Sequence, residues 1–349
     1  MFKVVSLKFA PEFDQGEEVI KAAGGELVRI PCQAGPQSSE EEIIAALSEA
    51  DVAITMLQPF TRRVIESLPR LRAICVTGIG YDWIDVDAAT ENGVLVTNVP
   101  DFCLDEVADH ALMLILALAR KVIPGRQAVK DGWWDTPYPA KIHQQVLRPI
   151  NRLRGQSLGL IGFGNIARNL AGKAQALGLK VMAHDTFQPP DLFRQLGVVQ
   201  VELDHLLKAS DFVSLHVPLN QKTRHLLGAA GLALMKPTAF LINTARGPVV
   251  EEEALCLALK EKRIAGAGLD VLELEPPRPD HPLFGLDNVI VTPHMGYLSL
   301  EAEKEGWLKP GLEAAWIIGG CWPRSIALVN PRAKDLYLQR WGPMREAET

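Results

Sequence analysis

Along most of the chain, short runs of apolar, β-branched residues alternate with longer stretches in which apolar residues recur at helical spacing. That alternation predicts βαβ units and a parallel sheet. Strands are expected at 3–6, 26–30, 52–55, 73–76 and 94–97. Helices lie between them, among them 39–50, opened by Ser39 as a cap with Glu42 three residues later. A long apolar helix over 105–121 follows, then a polar connection holding Trp133, Trp134, Pro137, Pro139 and Pro149. A second alternation places strands at 157–161, 181–185, 198–201, 212–217, 240–243, 266–270 and 289–292. The pattern describes two α/β domains in succession, each a doubly wound parallel sheet. A helical tail from about residue 298 either closes the second domain or folds back on the first, and periodicity does not choose.

Composition narrows the class without changing this picture. The chain has 349 residues, 48 % hydrophobic and 22 % charged, which excludes collagen-like, coiled-coil and disordered readings. Its 36 Lys and Arg against 42 Asp and Glu give a net charge of -6, with the basic residues read as scattered, so nucleic acid is not an expected partner. The five cysteines (Cys32, Cys75, Cys103, Cys256, Cys321) are odd in number and never in a C-x-x-C pair, which speaks for a reducing compartment and against zinc or a disulfide frame. The start of the chain carries no signal-peptide run, and the most apolar stretch, 107–119, contains Asp109 and His110 and is shorter than the ~20 residues a span needs. The expected address is the cytoplasm.

Candidate chemistry begins at a strand-to-helix junction. Leu158-Gly159-Leu160-Ile161-Gly162-Phe163-Gly164-Asn165-Ile166-Ala167 is an apolar strand, a G-x-G-x-x-A turn and a helix start. Gly162 permits the tight turn, Gly164 lets backbone approach a pyrophosphate, and the N–H groups from Asn165 and Ile166 onward face the phosphates. The next strand ends in Asp185, 21 residues beyond Gly164, the spacing of a carboxylate that binds ribose hydroxyls. Such a carboxylate repels a 2′-phosphate, and Thr186-Phe187-Gln188 adds no cation, so NAD is expected over NADP; Arg194 is the next basic residue after it.

Three polar residues follow later strands, where open parallel sheets place ligands: Arg246, Glu275 and His294. A 2-keto acid offers a carboxylate and a carbonyl, which suit a guanidinium. Hydride reduction also needs a proton for the alkoxide, which suits an imidazole oriented by a carboxylate. Taken singly, each has a plainer reading: a core histidine, a surface ion pair, a loop acid.

The motifs together resemble the D-isomer-specific 2-hydroxyacid dehydrogenases. They are 77–85 (TGIGYDWID), Asn98-Val99-Pro100, the glycine turn, 214–219 (SLHVPL), 243–247 (NTARG), 268–271 (GLDV) and Thr292-Pro293-His294. Glu106-Val107-Ala108-Asp109-His110 and Arg152-Leu153-Arg154-Gly155 resemble most the bacterial relatives of the C-terminal-binding-protein corepressors. The resemblance implies that Arg246 binds substrate, that His294 is the acid/base and Glu275 its partner, and that backbone N–H groups of Gly78, Ile79 and Gly80 hold the substrate carboxylate. It implies cofactor contacts from His216, Val217, Pro218, Thr244, Ala245, Asp270 and Gly296, and no metal. It also implies two Rossmann- or flavodoxin-like domains, the NAD domain (102–297) inserted in the substrate domain (1–101 and 298–349), and a homodimer built on the 105–121 helix.

Three departures stand out. Ala167 replaces the third glycine, Tyr297, which the resemblance implies meets substrate, lies three residues after the histidine where corepressor relatives carry tryptophan, and 249–252 (VVEE) replaces Val-Asp-Glu. Gln58 suggests a polar substrate tail, Leu57 and Tyr297 an apolar one. The expected activity is NAD-dependent interconversion of a 2-keto acid and a D-2-hydroxy acid. The alternatives are an NAD(H)-sensing corepressor-like protein, or a formate- or phosphite-type dehydrogenase, the former disfavoured by Glu rather than Gln at 275.

Overall fold

The computed structural model describes residues 1–7, 16–30 and 35–346, and the side chain of Pro36 is not among what is described. Cys32 lies outside these residues; Cys75, Cys103, Cys256 and Cys321 are free thiols. The chain divides into two compact units, Met1–Phe102 with Ser299–Thr349, and Cys103–Leu298. Among the described residues no helix is long and apolar enough to cross a membrane.

The first unit holds β1 (Phe2–Ser6), β2 (Gly25–Arg29), β3 (Val52–Thr55), β4 (Ala73–Val76) and β5 (Leu95–Thr97). They form a parallel sheet in the order β2-β1-β3-β4-β5. Both faces of β3 and β4 are buried, which is why they read as unbroken apolar runs. One face packs on helix α1 (Glu40–Leu47), whose start is the expected capping box of Ser39 and Glu42, through Ile43 and Leu47. The other face is covered by the tail: α4 (Leu300–Ile318) contributes Ala314, Ile317 and Ile318, followed by Trp322 and Tyr337. Each such aliphatic side chain contributes about 1.5–3 kcal/mol on burial. The tail also closes the edge of the sheet, because the Asn330 side chain accepts from Val96 N–H at 2.8 Å and donates to Val94 O at 2.9 Å. The choice that periodicity left open is thereby made: the tail folds back on the first sheet.

The second unit holds β6 (Ser157–Ile161), β7 (Lys180–His184), β8 (Val199–Gln200), β9 (Phe212–Leu215), β10 (Phe240–Asn243), β11 (Gly266–Leu269) and β12 (Val289–Val291). Their order is β12-β11-β10-β9-β6-β7-β8, all parallel. The chain runs outward from β6 to β8, then returns to lay β9 on the opposite side of β6. That reversal puts a topological switch point between β6 and β9, the position at which open parallel sheets bind ligands beyond their strand ends. Two helices frame it: α2 (Leu104–Ala119) buries Ala111, Leu114 and Ile115 in the same core as Ala167, Leu170 and Ala174 of α3 (Asn165–Ala176).

Candidate active site

β6 ends at Gly162, whose φ of 89° is left-handed and strained for any residue with a Cβ. A Cβ there would also stand 2.8 Å from the carbonyl oxygen of His216. A Cβ on Gly164 would meet nothing within 4 Å, so the backbone entering α3 stays open to a close ligand. Asn165 is exposed at the helix start and Ile166 is half-buried, while Ala167 is buried, small enough for α3 to sit against β6. Asp185 turns its carboxylate onto this turn. Its Oδ2 accepts from Phe163 N–H at 2.8 Å, and its Oδ1 from Phe187 and Gln188 N–H at 2.8 and 3.2 Å.

On the other side of the switch point, His216 donates its N–H to Ile161 O at 2.8 Å, and its Nε2 pairs with Ser214 Oγ at 2.9 Å. Burial pushes the imidazole down to about 4, so it is neutral at physiological pH. Val217 follows it against the glycine turn, its Cγ1 3.0 Å from where a Cβ on Gly162 would lie, and Pro218 is exposed. Thr244, beyond β10, has a buried hydroxyl with no hydrogen-bond partner among the described residues. A tight turn at Gly162, open backbone at Gly164, a carboxylate beside the turn and an unsatisfied hydroxyl at a later strand end together fit a dinucleotide.

The chemistry-bearing side chains follow β10, β11 and β12. Asn243 is buried and builds the turn after β10: its Oδ1 accepts from Ala245 N–H at 3.0 Å and its Nδ2 donates to Arg246 O at 2.9 Å. Arg246 is presented from that turn, half-buried, one of its Nη atoms donating to Ala245 O at 2.9 Å. Gly247 comes next and is pressed on the loop after β11, where a Cβ would lie 1.8 Å from Leu272 O. That loop folds Glu275 inward, with Oε1 accepting from Leu272 N–H at 2.9 Å and Oε2 2.6 Å from His294 Nδ1. A carboxylate only accepts, so Nδ1 carries a proton and Nε2, on the opposite side of the ring, is left for exchange with a ligand. His294 is 37 % exposed and Glu275 35 %, so the pair stays accessible.

The backbone of His294 is itself left-handed, with φ 52°. For a residue with a Cβ this costs about 1–2 kcal/mol, and the neighbours must offset it. His294 N–H donates to Asp270 O at 2.9 Å. The Asp270 carboxylate, 3 % exposed, takes Thr292 Oγ1 at 2.6 Å, Met295 N–H at 3.0 Å and Gly296 N–H at 2.8 Å. Burial opposes its charge, yet these bonds and His110 outweigh burial and hold the carboxyl below its ordinary range. Asp270 and Gly296 are thus bound up in shaping the His294 turn. The ring of Tyr297 stands edge-on to His294, with centroids 6.4 Å apart.

In the first unit, the loop after β4 works through its backbone. Gly78 O accepts from Val99 N–H at 2.9 Å and Ile79 O from Asn98 Nδ2 at 2.7 Å. Both carbonyls are drawn to the 98–99 turn, and the N–H groups of Gly78, Ile79 and Gly80 donate to nothing among the described residues. Gln58 is 3 % exposed, and its Oε1 accepts from Thr55 Oγ1, Met56 N–H and Leu57 N–H, so it shapes its own loop and leaves Met56 and Leu57 as the half-buried surface. Asn98, Asn243 and Gly247 carried no assigned role in the sequence; a short amide at the end of a strand, able to cap the turn there, is the signal that could have marked the first two.

A dinucleotide cradle and an imidazole–carboxylate pair on one sheet are what hydride transfer to a carbonyl requires, and comparison with known proteins gives the class. The chain belongs to the D-isomer specific 2-hydroxyacid dehydrogenase family, whose NAD-binding domain matches residues 112–296. It is an oxidoreductase that interconverts 2-keto acids and D-2-hydroxy acids with NAD. A glyoxylate reductase of Korarchaeum cryptofilum is 40 % identical over 264 residues, 75 % of this chain and 78 % of that one. A D-3-phosphoglycerate dehydrogenase of Methanocaldococcus jannaschii is 41 % identical over 268 residues, 76 % of this chain and 49 % of that longer one. Among solved structures, a glyoxylate reductase from Paecilomyes thermophila superposes with a TM-score of 0.80 at 28 % identity, covering 94 % of this chain and 97 % of that one.

Proposed function

We propose that the chain reduces a small 2-keto acid of the glyoxylate class, with His294 as the proton donor, Glu275 as its partner and Arg246 as the substrate clamp. The observation that carries this reading is the 2.6 Å contact between His294 Nδ1 and Glu275 Oε2, which leaves Nε2 as the exchanging nitrogen. Bound NADH supplies the hydride. His294 Nε2 gives its proton to the carbonyl oxygen, and Glu275 stabilises the imidazolium that donates it. Arg246 holds the carboxylate and polarises the carbonyl, while the N–H groups of Gly78, Ile79 and Gly80 hold the carboxylate from the first unit. Asp185 takes the adenosine ribose hydroxyls and opposes a 2′-phosphate, which selects NAD over NADP. Thr244, Ala245, Asp270 and Gly296 stand on the nicotinamide side, and His216, Val217 and Pro218 line the cleft. Residues 102–297 then form the cofactor domain, and 1–101 with 298–349 the substrate domain. Two glyoxylate reductases and a phosphoglycerate dehydrogenase among the relatives support the substrate class.

The finer kinship with the corepressor-like branch rests on Glu106–His110 and Arg152–Gly155 alone and is part of the proposal. So is the homodimer, which the resemblance builds on the 105–121 helix. Residues 120–154 hold eight Lys and Arg against two Asp, so the basic residues are less scattered than a first reading suggests, and this arm stands on a chain of net charge -6. It also exposes Trp134 by 64 % and Tyr138 by 67 %, a basic and aromatic surface suited to a second, acidic copy. A cytoplasmic address rests on the four free thiols.

The test is NADH oxidation with glyoxylate, hydroxypyruvate, pyruvate and larger branched and aromatic keto acids. Glyoxylate or hydroxypyruvate is expected to give the highest kcat/KM, and His294→Ala to lower kcat by about 10²–10⁴-fold. NADH binding without reduction of any acid, unchanged by His294→Ala, would favour the sensing alternative.

A further inference from the structure

His110 lies on α2, with its side chain 10 % exposed, and takes no part in the chemistry assigned above. Its Nε2 stands 2.8 Å from Thr292 Oγ1 and 3.3 Å from Asp270 Oδ1. Counting protons fixes the direction of each bond. The Thr292 hydroxyl has one proton, and the 2.6 Å contact to the Asp270 carboxylate, which only accepts, takes it. The same oxygen must then accept from His110, so His110 carries its proton on Nε2. The Asp270 carboxylate in turn receives Met295 and Gly296 N–H, the two amides that follow His294. The His110 ring also packs on the turn directly: a Cβ on Gly296 would meet its Cγ and Cδ2 at 3.4 Å and Asp270 Oδ2 at 2.8 Å.

We infer that His110 is a positioning residue for the His294 turn, acting through Thr292 and Asp270 to hold its left-handed backbone. Without the His110 donor, the Thr292 hydroxyl is free to rotate away from Asp270, and the carboxylate loses two of its donors. The turn then relaxes, and the imidazole drifts from Glu275 and from the substrate carbonyl. This inference rests on the reading of His294 as the acid.

The experiment is steady-state reduction of glyoxylate at saturating NADH by the full chain and by His110→Phe, His110→Gln, Thr292→Val and His294→Ala. His110→Phe is expected to lower kcat by about 10- to 100-fold, the scale of a displaced catalytic group, with KM for glyoxylate changed less than about threefold. His110→Gln, whose amide N–H reaches to where Nε2 stood, restores most of kcat. Should His110→Phe not fold, Thr292→Val must show the same loss of kcat for the inference to stand. A His110→Phe kcat within twofold of the parent, or a His110→Gln as impaired as His110→Phe, overturns it. If His294→Ala retains full kcat, it is instead the assignment of the acid that fails.

Discussion

The rims of the two sheets are built in opposite ways. After β4 of the first sheet, the loop 78–80 is shaped by its carbonyls, which bind Val99 N–H and Asn98 Nδ2, and it offers only backbone N–H groups. Beyond the strands of the seven-stranded sheet, turn geometry is set by the buried side chains of Asn243 and Asp270, from whose turns Arg246 and His294 are presented as side chains, with Glu275 bonded to His294. A backbone cradle tolerates change in its own side chains but depends on whatever anchors its carbonyls. A side-chain constellation depends on each member, and on every close contact that sets their spacing.

The sharpest way to break that contrast is Arg246→Ala. Each charged hydrogen bond to the substrate contributes about 1.5–3 kcal/mol, so the loss of two lowers kcat/KM for glyoxylate by about 10²–10⁴-fold. Gly247→Ala comes next, because its Cβ would lie 1.8 Å from Leu272 O and must push the Glu275 loop away. Overpacking against backbone costs about 3 kcal/mol, read as a lower thermal midpoint together with a lower kcat.

Acid separates the two units. All eight histidines lie between residues 103 and 298, so a histidine-dependent loss of stability belongs to the second unit. The His216 value of about 4 lies below its ordinary 6.5, so the unfolded chain binds a proton more readily than the folded one between those values. Stability of that unit therefore falls as pH drops from 6.5 to 4, by about 2–3 kcal/mol at full effect, and His216→Asn flattens this part of the pH–denaturation profile. The smallest effect is expected of Asn98→Ala in the first unit. Losing one neutral bond to Ile79 O is worth about 1 kcal/mol, read as about a fivefold rise in KM for glyoxylate with kcat retained.

Architecture was legible because buried parallel strands leave a plain mark: β3 and β4 read as Val-Ala-Ile-Thr and Ala-Ile-Cys-Val and lie where those runs predict. The tail was not, because an apolar helix such as α4 records that it has a buried face without recording which sheet covers it. Polar loop residues were ambiguous for a related reason. Gln58 has the same formula whether or not it caps its own turn, and only the fold reveals the three donors around its Oε1. His110 and Thr292, 182 positions apart, show no local pattern that would pair them. What could be proposed early were residues whose chemistry is rare at a strand end, namely an arginine, an acid and a histidine following successive runs.

The tail that covers the first sheet also sets an order of events during synthesis. Ala314, Ile317, Ile318, Trp322 and Tyr337 leave the ribosome after every residue from Cys103 to Leu298. The nucleotide-binding half therefore has all of its core in hand while Val4, Val52, Ile54 and Leu95 still present a greasy, uncovered flank. A nascent chain in that interval is a natural client for a chaperone, and a truncation before α4 yields an aggregating product rather than a smaller enzyme.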